Sequence, residues 1–392
     1  MTAFLADWLN LLLRWAHLIV GIGWIGASFY FVALDFSLRR RERMPEGVYG
    51  TVWQVHGGGF YHVEKYLVAP KQLPDDLVWF QWEAYLTWVT GFSLLVVQYY
   101  LNASLWLIDP AKLPLLPWQA IALSVTSLAA GWFIYDALCR STVGRNPTLL
   151  AALVFAMILA AAWFYTHVFA ARGALIHVGA FIGTIMAANV FAVIIPNQKK
   201  ITAALLEHRD PDPALGATGK QRSLHNTYLT LPVLVFMVSG HYPMLTGHPQ
   251  AWILCGLIVV GGAALRYFLV RHEAGDPIAK VAWTLPVIAA ALLAAMWFTA
   301  PRAATAVAGG VPDADVLAIT QKHCVMCHAA KPTHDGFAEA PKGVMLETIE
   351  QVRRYAPLIE VQAVKTHVMP LGDETGITDE ERARLGAWIA QQ

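Results

Sequence analysis

Residues 9–36 read LNLLLRWAHLIVGIGWIGASFYFVALDF, an apolar run in which Arg14 and His17 are the only basic side chains and no acidic one comes before Asp35. About 20 such residues wound as an α-helix cross the roughly 30 Å of bilayer hydrocarbon, so this run is long enough to span a membrane. It is too long for the apolar core of a secretory signal, and it follows Asp7 instead of a basic segment, so it reads as a retained span. Seven further runs lie at 79–101, 116–138, 148–169, 174–195, 225–244, 250–270 and 281–299. Together they predict an all-α, eight-span transmembrane helix bundle over residues 1–300. The segment 45–78 fits least well, because Gly57, Gly58 and Gly59 interrupt its apolar pattern and Pro70 and Pro74 break helices.

Composition agrees with this reading. Of 392 residues, 57% are apolar and 14% charged, against about 25% charged in a soluble domain, so membrane lipid is the expected surrounding. A net charge of +1 gives no electrostatic reason to expect nucleic acid as a partner. Cys139 and Cys255 lie in apolar runs and read as core packing. Lys and Arg resist translocation. One set of loops holds Arg39, Arg40, Arg41, Arg43, Arg140, Arg145, Lys199, Lys200 and Arg271, whereas the other holds only Lys112 and Arg172. The expected orientation puts the first set in the cytoplasm of a bacterial inner membrane and returns the chain to the outside after the eighth span.

Beyond residue 300 the character of the chain changes. Residues 301–312, small from Ala303 onward, read as a linker, and 313–392 as a soluble domain. Within it Cys324, Val325, Met326, Cys327 and His328 spell C-x-x-C-H, the attachment signature of c-type haem. Two thiols on one turn reach the haem vinyl groups, and the adjacent His faces the iron. A thioether as sixth ligand gives a potential suited to electron transfer. Met369 is the chosen ligand and Met345 its rival, while Met326 faces the wrong way inside the turn. The expected fold is a class I-like cytochrome c, placed in the periplasm, where bacterial haem c attachment takes place. Thr378 and Glu381 form a capping-box spacing ahead of Leu385, Trp388 and Ile389.

Ionisable residues inside spans are costly and are functional candidates. On this topology His17, His167, His177 and His241 fall toward the periplasm, and His56, His62, His225 and His272 toward the cytoplasm. The outer group can carry haem b between facing imidazoles, with Arg14 and Arg172 on its propionates. The alternative is that they hydrogen-bond to backbone or water, with Arg14 reaching to the surface. On the inner side, His56, Tyr61, His62 and Lys65 surround the three glycines and offer catalytic or binding groups for a planar anion; the alternative is a flexible re-entrant turn. Trp24, Trp53, Trp79, Trp82 and Trp88 read as packing or interfacial residues.

Several segments carry a family resemblance: RWAHLIVGIGWIGASFYF (14–31), HGGGFYHVEKY (56–66), GTIMAANVFAVIIPNQKK (183–200), HNTYLTLPVLVFMVSGHYP (225–243) and the C-x-x-C-H domain. With them the chain resembles the bacterial membrane-bound urate oxidases, or urate hydroxylases, over essentially its whole length. The first span is similar, more loosely, to the His-bearing first helix of membrane haem proteins of the protoporphyrinogen oxidase type, which strengthens His17 as a haem ligand. The resemblance implies oxidation of urate to 5-hydroxyisourate without hydrogen peroxide. Electrons would pass through one or two b haems to haem c, and then to a soluble cytochrome c or terminal oxidase. Asn226 joins the inner candidates for a urate site. An oligomer is compatible with this reading, and the alternative activity is a quinol- or partner-driven electron conduit with no small-molecule substrate.

Overall fold

The computed structural model describes residues 3–66, 74, 76–207, 209–300 and 310–392; Pro70 and positions 301–309 of the expected linker lie outside the described residues. Eight helices occupy the eight apolar runs: α1 (Ala3–Ser37), α2 (Trp82–Leu95, continued by a π-turn at Val96–Tyr100), α3 (Pro117–Arg140), α4 (Pro147–Val168), α5 (Ala171–Leu206), α6 (Pro213–Val238), α7 (Ala251–Glu273) and α8 (Thr284–Thr299). Their starts follow local chemistry. Asn146 caps α4 by accepting the Thr148 and Leu149 amides at 3.1 Å, and Asp212 caps α6 through the Ala214 amide at 2.9 Å. Proline opens α3, α4 and α6, where a missing N–H costs nothing.

Five of these helices, α1, α3, α4, α5 and α7, are long and apolar enough to cross a membrane. The other three depart from the expectation of full apolar spans for local reasons. The π-turn interrupts α2, α8 has 16 residues, and α6 begins at Pro213 with a polar half that includes Lys220, Gln221 and Arg222.

Helix α5 is the most buried, packed against α2, α3, α4 and α6. Its Leu175, Ile182 and Ile185 share one core with Tyr135, Ile158, Tyr165 and Phe236. The approach of α3 to α5 depends on Gly131, where a β-carbon would sit 2.1 Å from the Phe181 ring. Helix α1 is the least covered and packs mainly on α2.

The segment around the three glycines is a β-hairpin, an addition to the all-α expectation. Strand β1 (Val48–His56) pairs antiparallel with β2 (Gly59–Tyr66), and Gly57 (φ +58°) and Gly58 (φ +79°) supply the two left-handed residues of the turn. Two contacts tie the hairpin to α1: Lys65 Nζ donates to Asp35 Oδ1 at 2.6 Å, and Tyr30 OH donates to Gln54 Oε1 at 2.6 Å.

The carboxy-terminal residues form a second hydrophobic cluster. Val316 and Ile319 of α9 (Asp313–His323) meet Leu385 and Trp388 of α10 (Asp379–Ile389), with Val352 between them. The Trp388 indole donates to Asp313 at 2.7 Å. The capping box is formed as its spacing predicts: the Thr378 amide donates to Glu381 at 2.8 Å, and the Glu381 amide to Thr378 Oγ1 at 3.1 Å. The Thr378 amide, with help from Lys322 and His323, holds the Glu381 carboxyl down to about 2.

This second cluster is docked on one end of the bundle. The turn Ala103–Trp106 and the 243–247 segment meet it: a β-carbon on Gly372 would lie 3.4 Å from the Ser104 carbonyl oxygen, one on Gly336 3.1 Å from Leu105, and one on Gly247 1.8 Å from the Thr366 carbonyl oxygen. The opposite end carries the β-hairpin and the basic residues Arg140, Lys199, Lys200 and Arg271.

Replacing Gly247 with Val is expected to displace the docked domain. Amide exchange measured on the full chain should rise at 102–109 and 366–373 and stay unchanged in α3 to α5. Equal exchange in both proteins would show that this contact does not hold the domain. For Glu381 the folded-state pKa lies below the ordinary value of 4.5, so its contribution is complete above that pH and is lost as pH falls toward 2. Glu381→Gln is therefore expected to lower the melting temperature of the carboxy-terminal domain at pH 7 and to lower it by less at pH 2.

Candidate functional site

At the basic end, two adjoining cavities of about 430 and 610 Å³ open between α1, α5 and α6. They share Val32, Ile194, Gln198, Ile201 and Ser223. The smaller continues to Val270 of α7, and the larger reaches Trp24, Trp79, Phe80 and Asn226. Volumes of this size hold small organic ligands. The wall from α5 owes its shape to a π-segment, Asn189–Ile194, which brings Val190 and Ile194 to the larger cavity and Gln198 to both. Lys199 sits 6.0 Å from the Trp79 ring centre at the same end.

Behind this wall runs a buried polar network. Asn189 donates to Asn226 Oδ1 at 2.9 Å and to the Tyr135 hydroxyl at 3.1 Å; Asn226 donates to the Met186 carbonyl at 2.9 Å; and Tyr135 OH meets His225 Nδ1 at 2.7 Å. Arg222, fully buried, stacks over Tyr135 and donates to Asp136 at 2.8 Å. Such a network in an apolar bundle is stable only when its members satisfy one another. It orients Asn226 at the edge of the larger cavity. Of the inner residues singled out from sequence, Asn226 and His225 belong here.

The hairpin residues do not gather. Strand alternation puts His62 on one face, stacked on Trp53 at 4.4 Å, and His56, Tyr61 and Lys65 on the other. His56 and Tyr61 are exposed, and Lys65 reaches the cavity mouth only through its bond to Asp35, which lines the larger cavity. Trp24 and Trp79, read from sequence as packing residues, line that cavity instead.

The four outer histidines also fail to converge. His177 is fully buried, with Nδ1 2.6 Å from the Gly173 carbonyl oxygen and Nε2 2.7 Å from Ser124 Oγ, and Phe169 and Tyr165 pack on its ring. Nδ1–H donates to the Gly173 carbonyl, so the Nε2 lone pair accepts from the Ser124 hydroxyl. His17 turns into the α1–α2 contact, 3.0 Å from Thr90 Oγ1. His167 hydrogen-bonds its own helix at the Trp163 carbonyl (2.7 Å), and His241 is exposed. Arg14 pairs with Asn10 and Gln98, and Arg172 lies 5.9 Å from the Trp106 ring centre. Each of these four imidazoles thus has its own separate surroundings among the described residues.

The carboxy-terminal motif does fit its expected group. Cys324, Cys327 and His328 share one turn, closed by the Cys327 and His328 amides donating to the Cys324 carbonyl at 3.1 and 2.9 Å. His328 Nδ1–H donates to the Val344 carbonyl oxygen at 2.9 Å, which leaves Nε2 for a metal, the usual arrangement of a ligating imidazole. Met369 packs against the same cluster as Cys324, and its carbonyl accepts from buried Arg382 at 2.7 Å. Burial pushes the Cys324 thiol up to about 12, and burial together with Glu374 pushes Cys327 to about 11.

Residues that sequence reasoning missed include Asn189, Gln198, Arg222 and Arg266. The available signal was a polar or ionisable side chain within a long apolar helix. No curated protein and no solved structure matches the chain. The family model described as urate oxidase N-terminal matches residues 3–300, more than half of the chain. The membrane-compatible helices, the inner cavities and the hairpin all fall within that match, and the chain belongs to the urate oxidase N-terminal family.

Proposed function

We propose that the chain is a membrane-bound urate oxidoreductase that converts urate and water to 5-hydroxyisourate, two protons and two electrons, and delivers the electrons to a haem c on its carboxy-terminal domain. The observation that carries this reading is the pairing of two ends. A cavity lined by aromatic and amide side chains, with Asp35 and Glu83 also on its wall, lies within the family-matched bundle, and a C-x-x-C-H turn sits on the domain docked at the opposite end. In this proposal all eight helices span a bacterial inner membrane. The basic end faces the cytoplasm, where purine breakdown takes place, and the docked domain faces the periplasm.

The chain's own residues perform the binding and positioning. Trp24 and Trp79 offer flat faces to a purine ring, and Gln198 and Ser223 offer hydrogen-bonding groups to its carbonyl and N–H edges. The Asn189–Tyr135–His225 network fixes Asn226 at the wall. Cys324 and Cys327 would anchor the haem, and His328 and Met369 would hold its iron. Haem c, when bound, accepts electrons one at a time and passes them to a soluble cytochrome c or terminal oxidase. Arg382 holds the Met369 loop in place through the Met369 and Ala363 carbonyl oxygens.

Urate added anaerobically to the purified full chain should reduce the haem c absorption bands without peroxide formation. Reduction by quinol alone would assign the chain instead to electron conduction without a small-molecule substrate. Met369→Ala is expected to lower the haem c midpoint potential and slow electron exit to an external acceptor, with urate binding unchanged; an unchanged potential would place the sixth ligand elsewhere.

A further inference from the structure

We propose that Arg266 is the anion-recognition residue of the inner cavity and grips the negatively charged edge of the oxypurine; this rests on the functional reading above. Arg266 lies on α7 at 1% exposure. Its guanidinium carbon stands 3.7 Å from the centre of the Phe29 ring of α1, so the group is stacked on an aromatic face inside the bundle. Its Nε and Nη2 have no hydrogen-bond partner, and among the described residues no carboxylate lies within ion-pair distance. Arg222, whose Nε and Nη1 likewise lack a partner, is ion-paired through Nη2 to Asp136, and Arg382 donates to two carbonyl oxygens.

An unpaired buried cation is a large cost to a bundle, and its retention is explained when an anion completes it. The position of Arg266 says where that anion would come from. The smaller cavity is walled by Val32 of α1 and Val270 of α7. Phe29 is three residues before Val32 and Arg266 four before Val270, so both continue the same helix faces one turn deeper. The stacked pair therefore lies one helical turn beyond the Val32 and Val270 walls, outside the lining of the cavity itself. A guanidinium lying flat on a ring keeps its N–H edge free in its own plane. That edge matches a planar anion with adjacent acceptors, to which a fork of two parallel hydrogen bonds can form. A haem propionate shares the anionic chemistry, and the test separates the two.

Equilibrium dialysis of the full chain with urate, and with its uncharged, fully N-methylated analogue, tests the assignment on the wild type, Arg266→Gln and Arg266→Lys, with noncovalent haem content measured in each. The wild type should bind urate and discriminate against the analogue. Arg266→Gln should lose about 100-fold in urate affinity together with the discrimination, and Arg266→Lys, which keeps the charge without the fork, about 10-fold. Haem content should not change. Wild-type affinity for urate in Arg266→Gln overturns the assignment, and in Arg266→Lys it does so if the Gln variant fails to fold. Loss of noncovalent haem with urate affinity intact also overturns it, in favour of a propionate. Failure of the wild type itself to bind urate would sink the functional reading first, a result distinct from either.

Discussion

Burial of α5 among α2, α3, α4 and α6 is the contact on which the rest of the structure depends. In hydrocarbon there is no solvent to satisfy stray backbone groups, so helices close their own hydrogen bonds and then associate through close packing instead of through exclusion of water. Gly131 lets the Phe181 ring sit against the backbone of α3, and Ile182, Ile185 and Leu175 fill the space beside it. With α5 held on four sides, its π-segment can place Asn189 against Tyr135 and Asn226 while turning Ile194 and Gln198 toward the cavities.

This arrangement separates two kinds of buried polarity. The Tyr135–His225–Asn189–Asn226 set is joined by its own hydrogen bonds, with Asn189 Oδ1 left over, and behaves as structure. Arg266 is not satisfied, and it lies where the faces of α1 and α7 continue beneath a cavity. The same distinction applies to the outer histidines. His177 has both ring nitrogens occupied by Gly173 and Ser124 and belongs to the first kind. A histidine in a transmembrane run signals either role, and only its neighbours decide which.

The docked carboxy-terminal domain gives the molecule its direction. Contacts from Gly336, Thr366 and Gly372 to the 104–108 and 247 loops place the turn bearing Cys324, Cys327 and His328 on one side of the bundle, with the cavities on the other. The match of three separate loops at that interface makes the domain a seated part of the protein.

The amino-acid sequence by itself determined where the long apolar runs lie, because such runs act over neighbouring residues, although α6 starts at Pro213, well ahead of its run at 225–244. It determined the C-x-x-C-H turn and the Thr378–Glu381 capping box for the same reason. The hairpin at 48–66 was locally encoded too, by two glycines between alternating β-branched and aromatic residues, but its departure from the helical pattern concealed it. Only the tertiary structure decided that Lys65 pairs with Asp35 of α1, that Trp24 and Trp79 line a cavity, and that Arg266 stacks on Phe29. Those outcomes depend on which faces of α1, α5, α6 and α7 meet, and such meetings join residues hundreds of positions apart, beyond the reach of any local pattern.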